Sequence, residues 1–388
     1  MNFSEIKELD EKYGAKTFSR FPVAFAGGKN ATLCDSDGKS YIDFGAGIAV
    51  NVFGVNDEAW KNAVVDQLNK IQHVSNYYYI EPQARLARLL CEKTGAKRAF
   101  FANSGAEANE CAFKTARKYS FEKYGEKRKR IVSLKDSFHG RTLFTLSATG
   151  QDSFHKYFAP FVPDVVNTVA DVKAVERASD GKACAVVIEC VQGESGVTAL
   201  DRGFIRELAA YCKENDVLLV CDEVQCGNGR TGKFFAYEHY GIAPDLVTTA
   251  KGLGGGLPIG ACLFFGKTEN VLTAGDHGST FGGNPVVCAG ACNVVERMTD
   301  EFLSDVAVKA DYMRMKLEKI GGIKKVTGLG FMIGLEVEKD PKQVAAECLN
   351  RGLLVLTAHK RLRLVPPLTI TKTEMDEGLD ILEGVLKA

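Results

Sequence analysis

Two residues of this chain have types and surroundings that could do chemistry. Lys251 is the only charged residue in TTAKGLGGGLPIGA, Thr248 to Ala261. Held among small apolar residues, a lysine loses pKa, and its neutral amine becomes a nucleophile that can form a Schiff base. The ordinary alternative is a lysine whose ammonium reaches back to water. Gly252, Gly254, Gly255 and Gly256 strip side chains from beside it, which reads as room for a flat ligand against the backbone. Asp222, in VLLVCDEVQ, follows five apolar residues and is expected at the carboxyl end of a buried strand. Ligands bind at that edge of an open α/β sheet. A carboxylate there is costly unless it meets a cation. An aspartate on a pyridinium nitrogen, with a Schiff-base lysine, marks a pyridoxal phosphate site. The plain alternatives for Asp222 are a loop cap or a structural ion pair.

Two stretches compete as phosphate sites. GNGRTGKF, Gly227 to Phe234, has the frame of a P-loop, but Phe234 stands where a hydroxyl must hold magnesium, so it reads as a tight glycine turn. KGLGGGLPIG does not fit the spacing of a nicotinamide fingerprint. NSGAEANE, Asn103 to Glu110, lies between an expected strand and an expected helix. A small-residue turn opening a helix offers free N–H groups and the positive dipole end to a phosphate. Equally, Asn103 or Ser104 could simply cap that helix.

The elements that must position these residues follow from hydrophobic patterning. RAFFANS, RIVSLKD, CAVVIEC, VLLVCDEV, DLVTTAK and GACLFFG read as buried strands. Amphipathic helices such as AEANECAFKTARKYSFEKYG and GFIRELAAYCKEND alternate with them, which implies a mostly parallel sheet covered on both faces. After about residue 285 the pattern changes. ERMTDEFLSDVAVKADYMRMKLEKI reads as one long helix, and FMIGLEVE and RLRLVPPLTI as strands of a smaller layer. The N-terminal segment, with DSDGKSYIDF as turn and strand, could join that layer.

Composition narrows the class. The 388 residues favour one large domain and a smaller one. Basic and acidic residues number 49 each, so no basic excess points to nucleic acid or an anionic membrane. The 12 cysteines are scattered and lack zinc-finger spacing, which suits reduced thiols in the cytoplasm and no bound metal. No apolar run has the length of a membrane span, and MNFSEIKELDEKYG has no signal pattern.

With these residues assembled, the chain resembles the class III pyridoxal-phosphate aminotransferases from about Thr17 to Leu368. The matching stretches are NSGAEANE, SFHGRT, ECVQGESG, CDEVQCGNGRTG, TTAKGLGGGLPIGA, HGSTFGGNP and LRLVPPL. The resemblance implies an α/β, fold type I architecture. Residues 45–285 would form the large cofactor-binding domain, with a mostly parallel sheet flanked by helices; 1–44 and 286–388 would form a smaller α+β domain. It implies pyridoxal 5'-phosphate as cofactor, with Lys251 and Asp222 catalytic. Phe138 would stack on one face of the ring and Val224 on the other. Gln225 would reach the phenolic oxygen, and Ser104, Gly105 and Ala106 would cradle the phosphate. Thr280 would reach the phosphate of a neighbouring subunit's cofactor, which makes a homodimer with shared active sites.

For the substrate, the resemblance assigns Arg141 to the α-carboxylate of N2-acetyl-L-ornithine and the distal carboxylate of 2-oxoglutarate. It assigns Arg363 to the α-carboxylate of glutamate, with Glu194 covering Arg363 while the ω-amine reacts. Ser279 would line the substrate site beside Thr280. The implied reaction moves the δ-amino group to 2-oxoglutarate and gives N-acetyl-L-glutamate 5-semialdehyde and L-glutamate, a step of arginine biosynthesis. The departures are Cys190 for proline, Ser195 for glycine, and FGVNDEAW in place of G-H-x-H-P. Phe18 and Ile48 stand where ornithine aminotransferases carry tyrosines, which favours an N-acylated substrate over free ornithine; core packing is the other reading. His139 is expected to give a supporting hydrogen bond. The rival activities are another ω-aminotransferase (acting on N-succinyl-diaminopimelate, succinylornithine, ornithine or 4-aminobutyrate), a pyridoxal-phosphate racemase or aminomutase, and a non-enzymatic binding protein.

Overall fold

The computed structural model describes all residues, 1–388. At its centre is a seven-stranded sheet in the order Arg98–Ala102, Gly260–Phe264, Leu246–Thr249, Leu218–Asp222, Ala183–Ile188, Arg130–Leu134, Val165–Thr168. Gly260–Phe264 runs antiparallel to both neighbours and the remaining pairings are parallel. Ala183–Ile188 and Leu218–Asp222 are buried along their whole length. Strands covered on both faces need continuous apolar sequence, which is what AVVI and LLVC supply.

Helix Gly105–Tyr124 packs across this sheet, against Leu246–Thr249 and Gly260–Phe264. Its inward face carries Ala108, Cys111, Ala112 and Phe113, and its N-terminus starts at the carboxyl end of Arg98–Ala102. The GNGRTGKF stretch is a turn, with Gly229 and Gly232 both at φ 83° and Gly229 N–H donating to the Phe234 carbonyl.

Three smaller sheets complete the fold, one of them only the antiparallel pair Val191–Gln192 and Thr198–Ala199. Phe25–Lys29, Thr32–Asp35 and Ser40–Asp43 are joined by Leu353–Leu354, which pairs parallel to Ser40–Asp43. The strands around FMIGLEVE and RLRLV lie in the third, ordered Ile323–Leu329, Met332–Val337, Arg361–Leu364, Leu356–Ala358. The stretch expected as one long helix is two, Pro285–Arg297 and Asp300–Leu317. Thr299 causes the break. Its hydroxyl caps the second helix by accepting from Phe302 N–H, and Asp300 and Glu301 follow in the favourable first turn.

One segment departs from ordinary backbone. Ala46, Gly47, Ile48 and Ala49 have φ of 44°, 63°, 66° and 62°. A left-handed turn costs roughly 1–2 kcal/mol per residue with a side chain. Asp43 helps hold it, its Oδ1 accepting from Gly45 N–H at 2.7 Å and Ala46 N–H at 2.9 Å.

Candidate active site

The carboxyl ends of the parallel strands deliver side chains to one place. Asn103 and Ser104 follow Arg98–Ala102, Phe138 follows Arg130–Leu134, Glu189 follows Ala183–Ile188, Asp222 ends Leu218–Asp222, and Lys251 follows Leu246–Thr249. They line a cavity of about 460 Å³, together with Gly105, Ala106, Asn109, His139, Arg141, Val224 and Gln225.

Asp222 is 3% exposed and fully engaged. Its Oδ2 lies 2.8 Å from His139 Nδ1 and accepts from Asn109 Nδ2 at 2.8 Å, while Oδ1 accepts from Val224 N–H at 3.0 Å. Asn109 is held in turn by the Thr248 hydroxyl at 2.7 Å. The carboxylate is therefore fixed in direction before any ligand arrives. Lys251 sits half-buried across the cavity with φ 46° and makes no ion pair. Burial pulls its amine below the usual lysine range; the Arg363 charge acts the same way, while Glu194 and Asp222 oppose it. A backbone strained at such a residue is characteristic of a functional position.

Ser104 caps helix Gly105–Tyr124, accepting from Glu107 N–H at 3.2 Å, and lines the cavity as well. The first-turn N–H groups of Gly105 and Ala106 have no intrahelical acceptor. A side chain at Gly105 would meet the Val224 methyls at 2.7–2.8 Å, so only glycine lets the two strand ends close on each other.

The glycines after Lys251 correct one expectation. A Cβ at Gly252 would strike Val52, at Gly254 Ile259, and at Gly255 the Trp60 ring, at 2.6, 3.0 and 2.8 Å. Three of the four make room for the protein itself, and of the run only Gly256 lines the cavity. Trp60 belongs to FGVNDEAW. There Asp57 caps helix Glu58–Leu68 and takes two bonds from Arg297 at 2.6 and 2.9 Å, so that departure from the family pattern builds a buttress for the glycine loop.

Beyond the cavity, Arg363 Nη1 donates to Glu194 Oε1 at 2.5 Å and to Gln225 Oε1 at 3.1 Å, and Gln225 Nε2 donates to Glu194 at 3.2 Å. Arg363 is 3% exposed, and its Nε has no partner. Burial raises the Glu194 carboxyl, but the Arg363 charge and hydrogen bond outweigh it and hold Glu194 below the usual range. A Cβ at Gly193 would lie 2.2 Å from Gln225 Oε1, so glycine there lets the Gln225 amide keep its place between Glu194 and Arg363.

Phe18, Ile48 and Ser279, expected at the substrate, and Thr280, expected at the phosphate of a neighbouring subunit's cofactor, do not line this cavity within one chain. Phe18 and Ile48 line a second cavity of about 580 Å³ with Phe21, Phe25 and Leu356. They are 74% and 41% exposed, so core packing is excluded. The left-handed turn is the physical reason: it puts Ile48 on that side while Val50 faces Lys251. Ser279 and Thr280 line a third cavity, of about 940 Å³, with Tyr77, Tyr79 and His277. Ser279 nonetheless borders the Asn103 loop, its hydroxyl accepting from Asn103 Nδ2 at 3.2 Å.

Patterning missed Asn109 and Glu189. Asn109 was detectable as a polar residue on the apolar face of its helix. Glu189 is 4% exposed and accepts from Phe138 N–H at 2.9 Å, and burial followed by the Asp222 charge pushes its carboxyl well above the usual range.

The chain belongs to the class III aminotransferases: the family pattern, Aminotransferase class-III, matches residues 13–386. It is 46% identical over 390 residues to an acetylornithine aminotransferase of Haemophilus ducreyi, covering 100% of this chain and 99% of that one. It is 41% identical to a succinylornithine transaminase of Citrobacter koseri, over 98% of this chain and 96% of that one. Among solved structures, the ornithine aminotransferase of Toxoplasma gondii superposes with a TM-score of 0.94 at 28% identity, covering 100% of this chain and 95% of that chain. The protein is an aminotransferase of fold type I, and its family implies pyridoxal phosphate as cofactor.

Proposed function

We propose that the enzyme transfers the δ-amino group of N2-acetyl-L-ornithine to 2-oxoglutarate, giving N-acetyl-L-glutamate 5-semialdehyde and L-glutamate. The observation that carries the reading is the presence of two differently held arginines. Arg141 makes no ion pair, whereas Arg363 is buried and closed off by Glu194. Such a site can offer one carboxylate-binding fork to an ω-amine substrate and a second only when Glu194 withdraws. The acetylornithine relative supports the donor.

The residues present fit the cofactor. Ser104 and the free N–H groups of Gly105 and Ala106 would hold its phosphate, Phe138 and Val224 its ring faces, Asp222 its ring nitrogen and Lys251 its carbonyl carbon. Gln225, with its oxygen held by Arg363 and one amide N–H on Glu194, has its second N–H left to reach the ring's phenolic oxygen. Pyridoxal phosphate, when bound, supplies an electrophilic carbon and an electron sink. The chain does the rest. Asp222, fixed by His139 and Asn109, favours a proton on the ring nitrogen. Lys251 Nζ, with its lowered pKa, would take the proton from the carbon bearing the reacting amine and pass it to the cofactor side, the 1,3 proton shift that turns the amine carbon into a carbonyl. Thr280 and Ser279 would serve the site across a homodimer, and Phe18 and Ile48 would border the acyl group at the outer rim. With 12 free cysteines and no helix long and apolar enough to cross a membrane, we place the enzyme in the cytoplasm.

The test is the visible spectrum of the purified protein. N-acetylornithine added without a keto acid should abolish the long-wavelength band of the bound cofactor, and 2-oxoglutarate should restore it. A band that responds only to succinylornithine, ornithine or 4-aminobutyrate would replace the donor; no band after adding pyridoxal phosphate would overturn the assignment of Lys251.

A further inference from the structure

Arg141 is the one arginine in the cavity wall with its donors free, and a carboxylate-binding fork has to be aimed. It has no hydrogen bond or ion pair with the protein to aim it. What it does have is an aromatic ring. Its guanidinium carbon lies 3.9 Å from the centroid of Phe154 and 5.6 Å from that of Phe138, and the two rings meet edge to face at 5.9 Å. At 3.9 Å the guanidinium sits over the face of the Phe154 ring, a contact that restrains it through the π face and uses none of its N–H donors, which stay available to a ligand.

Phe154 is itself held on both sides. It ends the short turn Asp152–Phe154, and its own N–H donates to the Gln151 carbonyl at 3.0 Å. Gln151 Nε2 donates to the Ser137 carbonyl at 3.1 Å, beside Phe138. His155 Nε2 lies 2.9 Å from the Leu146 carbonyl, and its ring packs on Phe161 at 4.8 Å. The turn is thus pinned to the segment that carries both Phe138 and Arg141.

Resting on the substrate reading above, we propose that Phe154 is a positioning residue that presets the Arg141 fork for the substrate's α-carboxylate. It touches neither the cofactor's reacting carbon nor the amine. Its removal should weaken only substrates that carry a carboxylate for Arg141.

The experiment uses the cofactor-loaded enzyme in single turnover without keto acid, following the visible band. Two amines are compared: N2-acetyl-L-ornithine, and N-acetyl-1,4-diaminobutane, the same chain without the carboxylate. Phe154→Leu should lower the apparent second-order rate constant for N-acetylornithine about three- to tenfold, the worth of a lost cation–π stack. It should leave the carboxylate-free amine within about twofold of the wild-type rate, and Phe154→Tyr should restore the wild-type ratio. Equal losses on both amines would mean general packing, and an unchanged rate with N-acetylornithine would mean no role; either overturns the proposal. If Phe154→Leu fails to hold cofactor, Phe154→Met takes its place. If wild-type enzyme ignores N-acetylornithine but turns over another carboxylate-bearing ω-amine, the substrate reading has failed, and the same paired comparison on that amine decides the role of Phe154.

Discussion

Lys251 shows how a catalytic group works against the fold that holds it. Its folded pKa is depressed below the unfolded value near 10.5. Below both values the lysine is charged in either state, and its burial is a full cost; as pH rises through the folded value the cost is relieved, and above 10.5 it is gone. Lys251→Met should therefore raise the melting temperature of the cofactor-free protein near neutral pH while abolishing transamination. The gain should shrink as pH rises towards 10.5, as calorimetry across that range would show. A variant less stable than wild type at neutral pH would contradict this. Glu194→Ala uncovers Arg363. The expected result is a KM for glutamate lowered about tenfold with that for N-acetylornithine little changed, read from initial rates in each direction, because a free fork binds a carboxylate by a charge-assisted pair. Lys251 and Asp222 were legible in the sequence because a lone charge in an apolar run has few places to go. The glycines were legible as necessary but misread in purpose. What each excludes is Val52, Ile259 or Trp60, residues distant in sequence whose approach no local pattern announces.

At the scale of elements, the strand sequence decides the site. Asn103, Ser104, Phe138, Glu189, Asp222 and Lys251 all lie at or just past the end of a buried apolar run, so finding the runs found the edge. Asn109 on its helix and Arg363 in another sheet were outside that rule. The small layer was less legible, since Leu353–Leu354 pairs with Ser40–Asp43 across most of the chain. The helix break at Met298 was overlooked because apolar periodicity continues through it, while the cap at Thr299 interrupts the backbone. Asp216 joins these elements at the far side of the sheet. It accepts from Tyr119, Tyr124 and Lys123, near the end of helix Gly105–Tyr124, and from Lys267 at 3.0 Å, just before strand Leu218–Asp222 begins. Burial raises its carboxyl, and the hydrogen bonds of Lys123, Tyr124 and Lys267 more than reverse that. A depressed carboxylate stabilises above its unfolded pKa, and the contribution is lost as pH falls. Asp216→Asn should cost about 1 kcal/mol at neutral pH, after allowing for solvent screening. The difference from wild type should be constant above the ordinary aspartate value near 3.8 and shrink progressively as pH falls below it towards the depressed folded value, as urea titrations at a series of pH values would reveal.

At the scale of the whole molecule, the surface around Ser279 and Thr280 is the least finished. Tyr77 and Tyr79 are 94% and 108% exposed and Phe281 is 61% exposed, side by side with a cavity of about 940 Å³. Exposed aromatic residues grouped in this way are the surface on which the proposed homodimer would form. The homodimer proposed above predicts a particle of twice 42.1 kDa by sedimentation. Tyr79→Glu should shift it towards the single-chain mass and lower activity at the same protein concentration. A fully active monomer would remove the shared-site reading of Thr280.

Trp60 is the only tryptophan in the chain. Its indole N–H donates to the Gly254 carbonyl at 3.2 Å, and its ring presses on Gly255, next to the cavity wall at Gly256. The buttress is therefore also a lone fluorophore a few residues from where an absorbing ring would bind. Its emission should be quenched as pyridoxal phosphate is titrated in, giving a dissociation constant without any assay of turnover. Because Trp60 reports from one site only, a quench that saturates in two distinct phases would reveal that the sites of an assembled particle fill unequally.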